Sequence, residues 1–523
     1  MGSANLLFSG CIATVIFTAA TAASFCDPAY VVNNGRVWTV FPTGSDDSEN
    51  LECAFEEAVA AGSGSTVKMV AAHYFLSRPI AVLYEGDLTW KGAGKNKTVL
   101  QAGCEGVLFP LLVEEGYFPE PGLPTVFVFH QDADGWVGPG VKELTSRLSF
   151  HGFSIRLRGL SQPWVDSFGR TSQARSIIDV IGRIDGLRNF NLSRVNLTVS
   201  GVQLQAEVCD PEICGQVDWT ALNGLTVGGE SVTTVDENGA LLIEYSKPIV
   251  ADTRITNSLF QSIAYAVVNS DVEDSHILVN NNRFIDAGVA YFLQDADGGR
   301  VVVSNNRMLG LAYYGVITTH GLTGVFGYDT DPIPERFPDA PTELTIRRNT
   351  LQCDGIAEGV VIEDYTTFDL PDDQHMLDAS ISQNRISLAG GASTGVGSYY
   401  SRGVTVAGNR ITGEGATGLY ALYASGWTIR ENFFNVTSGV PIWLQEPSAS
   451  FTVTTNTFRG YGADAAVQID GSHHRVENNN VRRYQPGVAH YWLTAPSANN
   501  HLTVSKKDTV QDDGTNNTVV ITN

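Results

Sequence analysis

The chain has 523 residues, of which 53 are glycine and 17% are charged, and its formal net charge is −23. This length exceeds what one ordinary globular core organises, which favours a repeat architecture in which each unit packs only on its neighbours. The excess of acidic residues argues against a nucleic-acid partner, because binding phosphates requires a basic surface.

The first 23 residues predict a secretory signal peptide. Residues 5–23 are small and apolar and lead into Ala-Ala-Thr-Ala-Ala-Ser, which suits cleavage near Ala22 or Ala23. An uncleaved membrane anchor is the alternative, because no Lys or Arg precedes the apolar run. No other segment of the sequence is apolar over the length needed to cross a bilayer. We therefore expect a secreted, extracellular protein with no membrane association after cleavage.

The cysteine count also fits an extracellular protein. After removal of the signal peptide, six cysteines permit up to three disulfides, with the pairing left open. These are Cys26, Cys53, Cys104, Cys209, Cys214 and Cys353. Five sequence triplets could accept N-linked glycans, at Asn96, Asn191, Asn196, Asn435 and Asn516.

The first predicted element of the mature chain is a helix at about 45–62. Ser48 is suited to cap its start and Gly62 to end it. Leu51, Phe55 and Ala58 make an apolar stripe at helical spacing. Because the end of a strand solenoid exposes unpaired edges and apolar core, we expect this helix to cap it.

The rest of the chain is dominated by a repeated asparagine. A six-residue pattern recurs: an aliphatic, two variable residues, Asn, any residue and a large apolar residue. A degenerate copy, Asn257–Leu259, precedes the full copies. The asparagines of this ladder are Asn282, Asn306, Asn349, Asn384, Asn409, Asn432, Asn456 and Asn479.

This ladder predicts the architecture. Its strand-like units recur every 23 to 25 residues, except for two intervals of 43 and 35 residues that imply insertions. Such a period indicates a solenoid whose coils pair edge to edge about 4.8 Å apart. We expect each Asn to turn a corner, because Asn tolerates left-handed backbone, and its amide to bond along the column. The fold class is therefore all-β, a single-stranded right-handed parallel β-helix. Residues 24–523 are predicted to form one domain, regular from Leu241 onward, with loop insertions at about 103–140, 205–240, 318–342 and 363–378.

A resemblance supports the same architecture. The run from Gly44 to Leu51, then Gly64-Ser65-Thr66-Val67 and Gly92-Ala93-Gly94, resembles the opening of secreted right-handed parallel β-helix proteins of the pectate lyase-like superfamily. That superfamily contains carbohydrate-active enzymes, and the resemblance implies the fold and a polysaccharide ligand. It implies no reaction, because Thr319-His320-Gly321 only partly matches the Gly-His-Gly motif of polygalacturonases. The Arg-x-Pro-x-x-Arg motif of pectate lyases is incomplete at Arg336–Pro341.

Chemistry is predicted on the outer face of the strand that follows each corner. Because coils are about 4.8 Å apart, His320, Asp364 and Tyr400 are expected in one column on successive coils. A neighbouring outward column is predicted to contain Glu363, Tyr399, Leu422, Trp443 and Asp470. Glu363 and Asp470 are then about 19 Å apart, too far for a two-carboxylate glycosidase.

The predicted catalytic residues are Asp364, Glu363, His320, Asp295, Asp297 and Tyr400. The predicted substrate-binding residues are Tyr399, Arg402, Tyr423 and Trp443. In a hydrolase, Asp364 or Glu363 would act as the acid, while Asp295, Asp297 or a loop carboxylate would activate water.

A lyase would use the same residues differently. His320 or Tyr400 would abstract the proton α to a uronate carboxyl, which Arg402 or Ca²⁺ would neutralise. Asp295 to Gly299 could form a calcium loop, although Asp-Gly turns are common. No metal or other cofactor is otherwise expected.

The sequence thus predicts a secreted carbohydrate-active enzyme that cleaves glycosidic bonds of a polysaccharide, with hydrolysis favoured. The alternatives are a polysaccharide lyase acting by β-elimination on a uronate-containing glycan and a non-catalytic glycan-binding surface protein. Polysaccharide is the expected partner, and the protein is expected to be a monomer.

Overall fold

The computed structural model describes most of the chain after residue 25. The described residues are 26–523 except for 85, 104–125, 131–145, 159–163, 166–170, 173–175, 182–186, 201–222, 229–230, 236–240, 246–249, 271, 273–274, 295, 297, 321–340, 365–376, 461–464 and 483–486. The predicted signal peptide and most of each predicted insertion fall outside these residues.

Within the described residues, short strands stack into three long sheets, one on each side of a β-helix. The first sheet contains Val31–Asn34, Val37–Val40, Ser65–Met69, Asp87–Lys91, Ser146–His151, Leu187–Ser193, Val250–Thr256, His276–Asn280, Arg300–Ser304, Thr342–Arg347, Leu377–Ser382, Thr405–Ala407, Thr428–Arg430, Thr452–Thr454, Arg475–Glu477, His501–Ser505 and Thr518–Thr522. The second contains His73–Leu76, Val99–Ala102, Ser154–Arg158, Asn196–Ser200, Leu259–Gln261, Arg283–Ile285, Arg307–Leu311, Thr350–Asp354, Arg385–Ala389, Arg410–Glu414, Phe433–Val436, Thr457–Arg459 and Asn480–Arg482. The third contains Ile80–Leu83, Phe127–His130, Ser176–Ile181, Asn223–Gly228, Tyr265–Ser270, Val289–Gln294, Tyr314–His320, Glu358–Asp364, Thr394–Tyr399, Thr417–Leu422, Val440–Leu444, Val467–Ile469, Tyr491–Leu493 and Val510–Asp512.

Strand alternation explains why the coils stack. In the first sheet, Val279 pairs with Val303, which pairs with Ile346 and then Ile381 on the following coils. All four side chains are fully buried. Each coil therefore places the same apolar position above its neighbour, and the burial of these columns stabilises the solenoid.

The asparagine ladder forms an internal column of amides. The Oδ1 atom of Asn409 accepts hydrogen bonds from the backbone N–H of Asn384 at 2.9 Å and from its Nδ2 at 3.0 Å. The Nδ2 atom of Asn384 also donates to the carbonyl of Ile346 at 2.9 Å. The same arrangement repeats from Asn282 to Asn479. From Asn282 to Asn456 these side chains are buried, so their amides pair backbone groups at the corner that water does not reach.

The prediction that the ladder Asn itself turns the corner is wrong. The left-handed residue is the one before it, for example Asn281 with φ 57° and Arg348 with φ 56°. The degenerate copy is likewise shifted by one residue, because Ser258, not Asn257, donates its backbone N–H to Asn282 Oδ1. Asn is needed in the column for its amide rather than for its backbone conformation.

The predicted capping helix is present as Ser48–Ala60. Leu51, Ala54, Phe55 and Ala58 are buried against the first coils, so the helix covers the apolar end of the solenoid. Ser48 is its first residue rather than its cap. The backbone N–H of Ser48 instead donates a hydrogen bond to the Oδ1 atom of Asp46 at 3.0 Å.

The regular series does not start at Leu241 as predicted. Leu241–Tyr245 pairs antiparallel with Ser231–Val235 in a hairpin. The coil strand at this level is Asn223–Gly228, which pairs in parallel with Tyr265–Ser270. The alternating pattern of residues 241–245 is equally typical of a hairpin strand, so the sequence could not distinguish a hairpin strand from a coil strand here. A second short hairpin joins Trp164–Val165 and Thr171–Ser172.

Two of the predicted disulfide cysteines are bonded to each other. Cys26 and Cys53 form a disulfide that fastens the start of the described chain to the capping helix. Cys353 is a buried free thiol, so it does not join a third bridge, and burial raises its pKa to about 12. The remaining three cysteines lie outside the described residues. No helix in the described part of the chain has the length and apolar character to span a membrane.

Candidate functional site

The third sheet carries the predicted site, and its register can be compared with the prediction. His320 pairs with Asp364 on the next coil, as the ladder spacing predicts. Glu363 pairs with Tyr399, and Tyr399 with Leu422. Trp443 departs from the predicted column, because it pairs with Tyr420 instead of Leu422.

Two predicted acid residues occupy opposite faces of the strand Glu358–Asp364. Asp364 is 1% exposed and alternates with the buried Val360 and Ile362, so its carboxylate does not line the outer face. Glu363 is half-buried and lies on the outer side, opposite Tyr399. Glu363 is therefore the predicted carboxylate that remains in position to meet a substrate on this face.

The other predicted residues are spread over the following corner. Tyr400 and Tyr423 both have left-handed backbone, with φ of 57° and 54°, and their rings stack 4.8 Å apart. Arg402 is half-buried and forms a parallel bridge with Ser425. Asp295, Asp297 and the side chain of His320 lie outside the described residues, so their roles stay predictions.

The outer face of the third sheet has an apolar floor of its own. Val289, Ile317 and Val361 are buried there, apart from the main core. Aromatic residues pack around them and are partly buried: Tyr265, Phe292, Tyr313, Tyr314 and Tyr399. This face is therefore not an ordinary solvated strand surface, and a charged group on it meets a medium of low polarity.

Glu358 stands on this floor, and sequence reasoning missed it. It pairs with Tyr314 on the coil before and Thr394 on the coil after. Its carboxyl extends over Gly397, where an added Cβ atom would lie 2.7 Å from Glu358 Oε2. Gly397 is therefore a hollow in the outer column between Val361 and Tyr420, and Glu358 fills it.

The environment of Glu358 changes its acidity. Burial, and secondarily the negative charge of Glu363, raise the pKa of Glu358 to about 7. Desolvation disfavours the ionised form, and a nearby like charge adds to this effect. Near neutral pH this carboxyl is therefore poised between its protonated and ionised forms.

Two tyrosines belong to the same electrostatic cluster. Burial raises the pKa of Tyr314 to about 12, and the charges of Glu358 and Glu363 add to this shift. The pKa of Tyr399 is raised by burial first and also by both carboxylates. The four side chains Tyr314, Glu358, Glu363 and Tyr399 thus lie on three successive coils within electrostatic range of each other. We call them the glutamate cluster.

Glu358 escaped prediction for a definite reason. The sequence pattern places candidate residues by their distance after the first inward aliphatic residue of each strand, which is Val360 on this coil. Glu358 lies two residues before Val360, at the first position of the strand. The available signal was Gly397, a glycine in a column where the neighbouring coils carry Val361 and Tyr420.

Aromatic rings continue along the outer face beyond the cluster. Tyr399 meets Tyr420 edge to face at 5.8 Å, and Tyr420 meets Trp443 in the same way at 5.5 Å. Trp492 follows two coils after Trp443 in the same column, with Gln468 between them. We call Tyr399, Tyr420, Trp443 and Trp492 the outer aromatic row. Asp470 is four coils from Glu363, as predicted, so it is no partner for that carboxylate.

Comparison with known families supports the fold. Residues 337–507 match the family model described as a right-handed beta helix region. Together with the three parallel sheets, this match confirms the predicted right-handed parallel β-helix. No curated protein shows a significant sequence match to the chain.

Several solved structures are similar in architecture. Bacteriophage CBA120 tailspike protein 3 matches with 13% identity and a TM-score of 0.44, covering 92% of this chain and 57% of the tailspike. The mannuronan C-5 epimerase AlgE6 A-module of Azotobacter vinelandii matches with 14% identity and a TM-score of 0.31, covering 92% and 96%. The alpha-1,3-glucanase catalytic unit of Streptomyces thermodiastaticus matches with 12% identity and a TM-score of 0.36, covering 90% and 65%. At these identities and TM-scores, no function passes from these proteins to this chain.

Proposed function

We propose that this chain is a secreted carbohydrate-active enzyme that hydrolyses glycosidic bonds of a polysaccharide. Glu358 serves as the general acid and Glu363 as the second carboxylate. The observation that carries the proposal is the carboxyl of Glu358, whose Oε2 atom is buried and which lies within electrostatic range of Tyr314 and Tyr399, with Glu363 close enough to raise its pKa.

The chemistry of glycoside hydrolysis requires two carboxyl groups with different protonation states. One must be a neutral acid that gives a proton to the leaving oxygen, and the other an anion that attacks or activates water. The environment of Glu358 keeps a proton on its carboxyl at higher pH than an exposed glutamate would. Glu363 lies opposite Tyr399 on the outer side of the same strand, where it can act on the sugar or on water.

The aromatic surroundings suit a sugar substrate. Faces of Tyr and Trp pack against the C–H surfaces of sugar rings, while phenols and carboxylates bond to hydroxyls. Tyr314 and Tyr399 place phenol groups on the coils before and after the two glutamates. An elimination mechanism is less well supported, because the ionised carboxylate of Glu363 repels the uronate that a lyase must bind.

Secretion belongs to the same proposal. The Cys26–Cys53 disulfide is typical of an oxidising compartment and supports an extracellular location. The predicted signal peptide points in the same direction.

Activity on a panel of neutral and acidic polysaccharides tests the reaction. We expect new reducing ends without the ultraviolet absorbance of an unsaturated uronide. Glu358→Gln should abolish turnover, and Glu363→Gln should reduce it by at least about a hundredfold. Glu414→Gln, at an exposed position on the second sheet, is the matched control and should leave turnover unchanged. Unsaturated products, or full turnover by Glu358→Gln, would contradict the proposal.

The anomeric form of the first product separates the two hydrolytic mechanisms. If Glu363 attacks the sugar directly, the product retains its configuration, whereas activation of water by Glu363 inverts it. Proton NMR of the fresh product distinguishes these outcomes.

A further inference from the structure

We propose that the outer aromatic row is a preformed binding surface for an extended, neutral polysaccharide chain. This inference rests on the proposed function, because it assigns the substrate class of the same face. It concerns the side of the glutamate cluster that leads toward the last coils.

Three rings of the row are held in the same way. Each donates a hydrogen bond from its polar edge to an acceptor on the next coil. Tyr420 Oη donates to Gln445 Oε1. Trp443 Nε1 donates to Asp470 Oδ2 at 2.7 Å, and Trp492 Nε1 donates to Asp513 Oδ2 at 3.0 Å.

The acceptors are fixed in turn by a second set of bonds. Asp470 Oδ1 accepts from Thr494 Oγ1 at 2.7 Å and from Gln468 Nε2 at 3.2 Å. Asp513 Oδ2 also accepts from Gln511 Nε2 at 2.7 Å. Trp443, Gln468 and Trp492 remain half-buried, so each is ordered and still reachable.

This arrangement is more than isolated exposed aromatic residues. Because the indole N–H of each tryptophan is already hydrogen-bonded, a ligand can contact the tryptophan through its ring face. A ring that is already ordered in the free protein loses little conformational entropy on binding, which increases affinity. The same arrangement occurs twice in the solenoid. A tryptophan donates a hydrogen bond to an aspartate, and that aspartate also accepts one from the glutamine two residues before the aspartate.

The length of the row indicates a chain rather than a single sugar. Five coils separate the strand of Glu363 from that of Trp492. At about 4.8 Å per coil this spans about 24 Å, enough for several sugar rings. The glutamate cluster lies toward one end of this span, so most of the chain lies on one side of the cleaved bond.

The charge of the row selects a neutral ligand. Asp470 and Asp513 lie beside the tryptophans, and the whole chain carries a net charge of −23. Uronates and sulfated sugars would be repelled, whereas the hydroxyls of neutral sugars can donate to carboxylate and amide oxygens.

A glycan array followed by calorimetric titration tests the inference. The probes are neutral and anionic polysaccharides of plant, fungal and bacterial origin, and the neutral polysaccharide that binds most tightly is then titrated. Trp492→Ala should weaken its binding by about tenfold, the loss of one aromatic contact. Phe41→Ala, which removes an exposed aromatic far from the row (39% exposed), is the matched control and should leave binding unchanged.

A second variant guards against misfolding. Asp513→Ala removes an exposed acceptor that bonds the indole of Trp492 and the amide of Gln511, so it should weaken binding while leaving the melting temperature nearly unchanged. Binding to anionic glycans alone, the absence of binding to every glycan, or equal affinity of Trp492→Ala and the unaltered protein would each overturn the inference. Glu358→Gln should still bind. Row-dependent binding without any hydrolysis would overturn the proposed reaction and leave this inference standing.

Discussion

The solvation and charge of Glu358 depend on two residues of neighbouring coils and on one residue of its own strand. Tyr314 on one side, Gly397 on the other and Glu363 further along its own strand set its solvation and its charge. A raised pKa lowers stability when the group must ionise, so the residue proposed for catalysis should also be a measurable weakness of the fold.

The first prediction concerns stability and pH. The pKa of Glu358 is about 7 in the folded protein against an ordinary value of 4.5, so the folded state holds the proton more tightly. The protonated Glu358 therefore contributes fully to the free energy of unfolding below pH 4.5. This contribution, about 3 kcal/mol, is lost as the pH rises to about 7. Glu358→Gln should remove this dependence and be more stable than the unaltered protein at pH 8. Denaturant unfolding of both proteins from pH 4.5 to 8 measures this effect. A stability difference between them that does not change with pH would contradict the prediction.

The second prediction concerns the pH profile of turnover. An acid must be protonated to act, so activity should decline as pH rises above about 7, the pKa of Glu358. Turnover against pH, measured on a neutral polysaccharide, gives the midpoint. A decline that sets in well below or well above this pH would assign the acid to another residue.

The third prediction tests Gly397 as a positioning residue. Gly397→Ala should displace the Glu358 carboxyl, because the new methyl group would lie 2.7 Å from Oε2. We expect at least a tenfold loss of turnover and a shifted midpoint of Glu358 ionisation, measured by NMR of labelled glutamate. Gly391→Ala, where nothing lies within 4 Å of the added atom, is the control. An unchanged ionisation midpoint in Gly397→Ala would show that the contact is unimportant.

At the scale of the element, the coil corner is stabilised by hydrogen bonds rather than by apolar contact. The Oδ1 atom of each ladder asparagine after Asn282 accepts hydrogen bonds from the asparagine one coil earlier. Its Nδ2 atom donates to the backbone carbonyl of an aliphatic residue on that earlier coil. Removing one member therefore leaves buried groups of its neighbours without their partner, which costs more than the bond itself contributes.

The fourth prediction follows from that asymmetry. Asn409→Ala should lower stability by about 3 kcal/mol, since the backbone N–H and Nδ2 of Asn384 and the carbonyl of Ile381 lose their bonds. Asn480→Ala, at an exposed position on the second sheet, should change stability by less than about 0.5 kcal/mol. Unfolding by guanidinium compares them, and similar losses in both would mean that the ladder is not a special source of stability.

At the scale of the whole molecule, the two ends of the solenoid differ. The first end is covered by the capping helix and tied by the Cys26–Cys53 disulfide. The last coils carry a second, short ladder in which His474 takes the place of an asparagine. His474 Nδ1 accepts from the backbone N–H of Phe451 at 3.1 Å, so the imidazole is neutral there with its proton on Nε2.

The fifth prediction is an acid-sensitive end. Burial, with a smaller effect from His473, lowers the pKa of His474 to about 3 from an ordinary 6.5. The unfolded chain thus binds the proton more readily, and stability falls as pH decreases from 6.5 toward 3, by up to about 5 kcal/mol. At pH 4, hydrogen exchange should be faster in the last coils than beside the capping helix. His474→Asn, which keeps an acceptor, should slow that exchange, and its failure to do so would place the weakness elsewhere.

The repeat, its strands and the capping helix can be predicted from the amino-acid sequence alone. These depend on local spacing, on the period of the ladder asparagines and on the stripe of Leu51, Phe55 and Ala58, which one chain displays without any partner. The sequence also paired His320 with Asp364, because each lies four residues after the first inward aliphatic residue of its strand, Val316 and Val360. The tertiary structure alone decided which side Asp364 faces, that residues 241–245 form a hairpin, and that Glu358 belongs to the site. The reason is physical: the acidity of Glu358 comes from burial and from Glu363, and its position from the hollow at Gly397 on the next coil. The burial and the contact with Gly397 involve neighbouring coils and exist only once the coils have stacked.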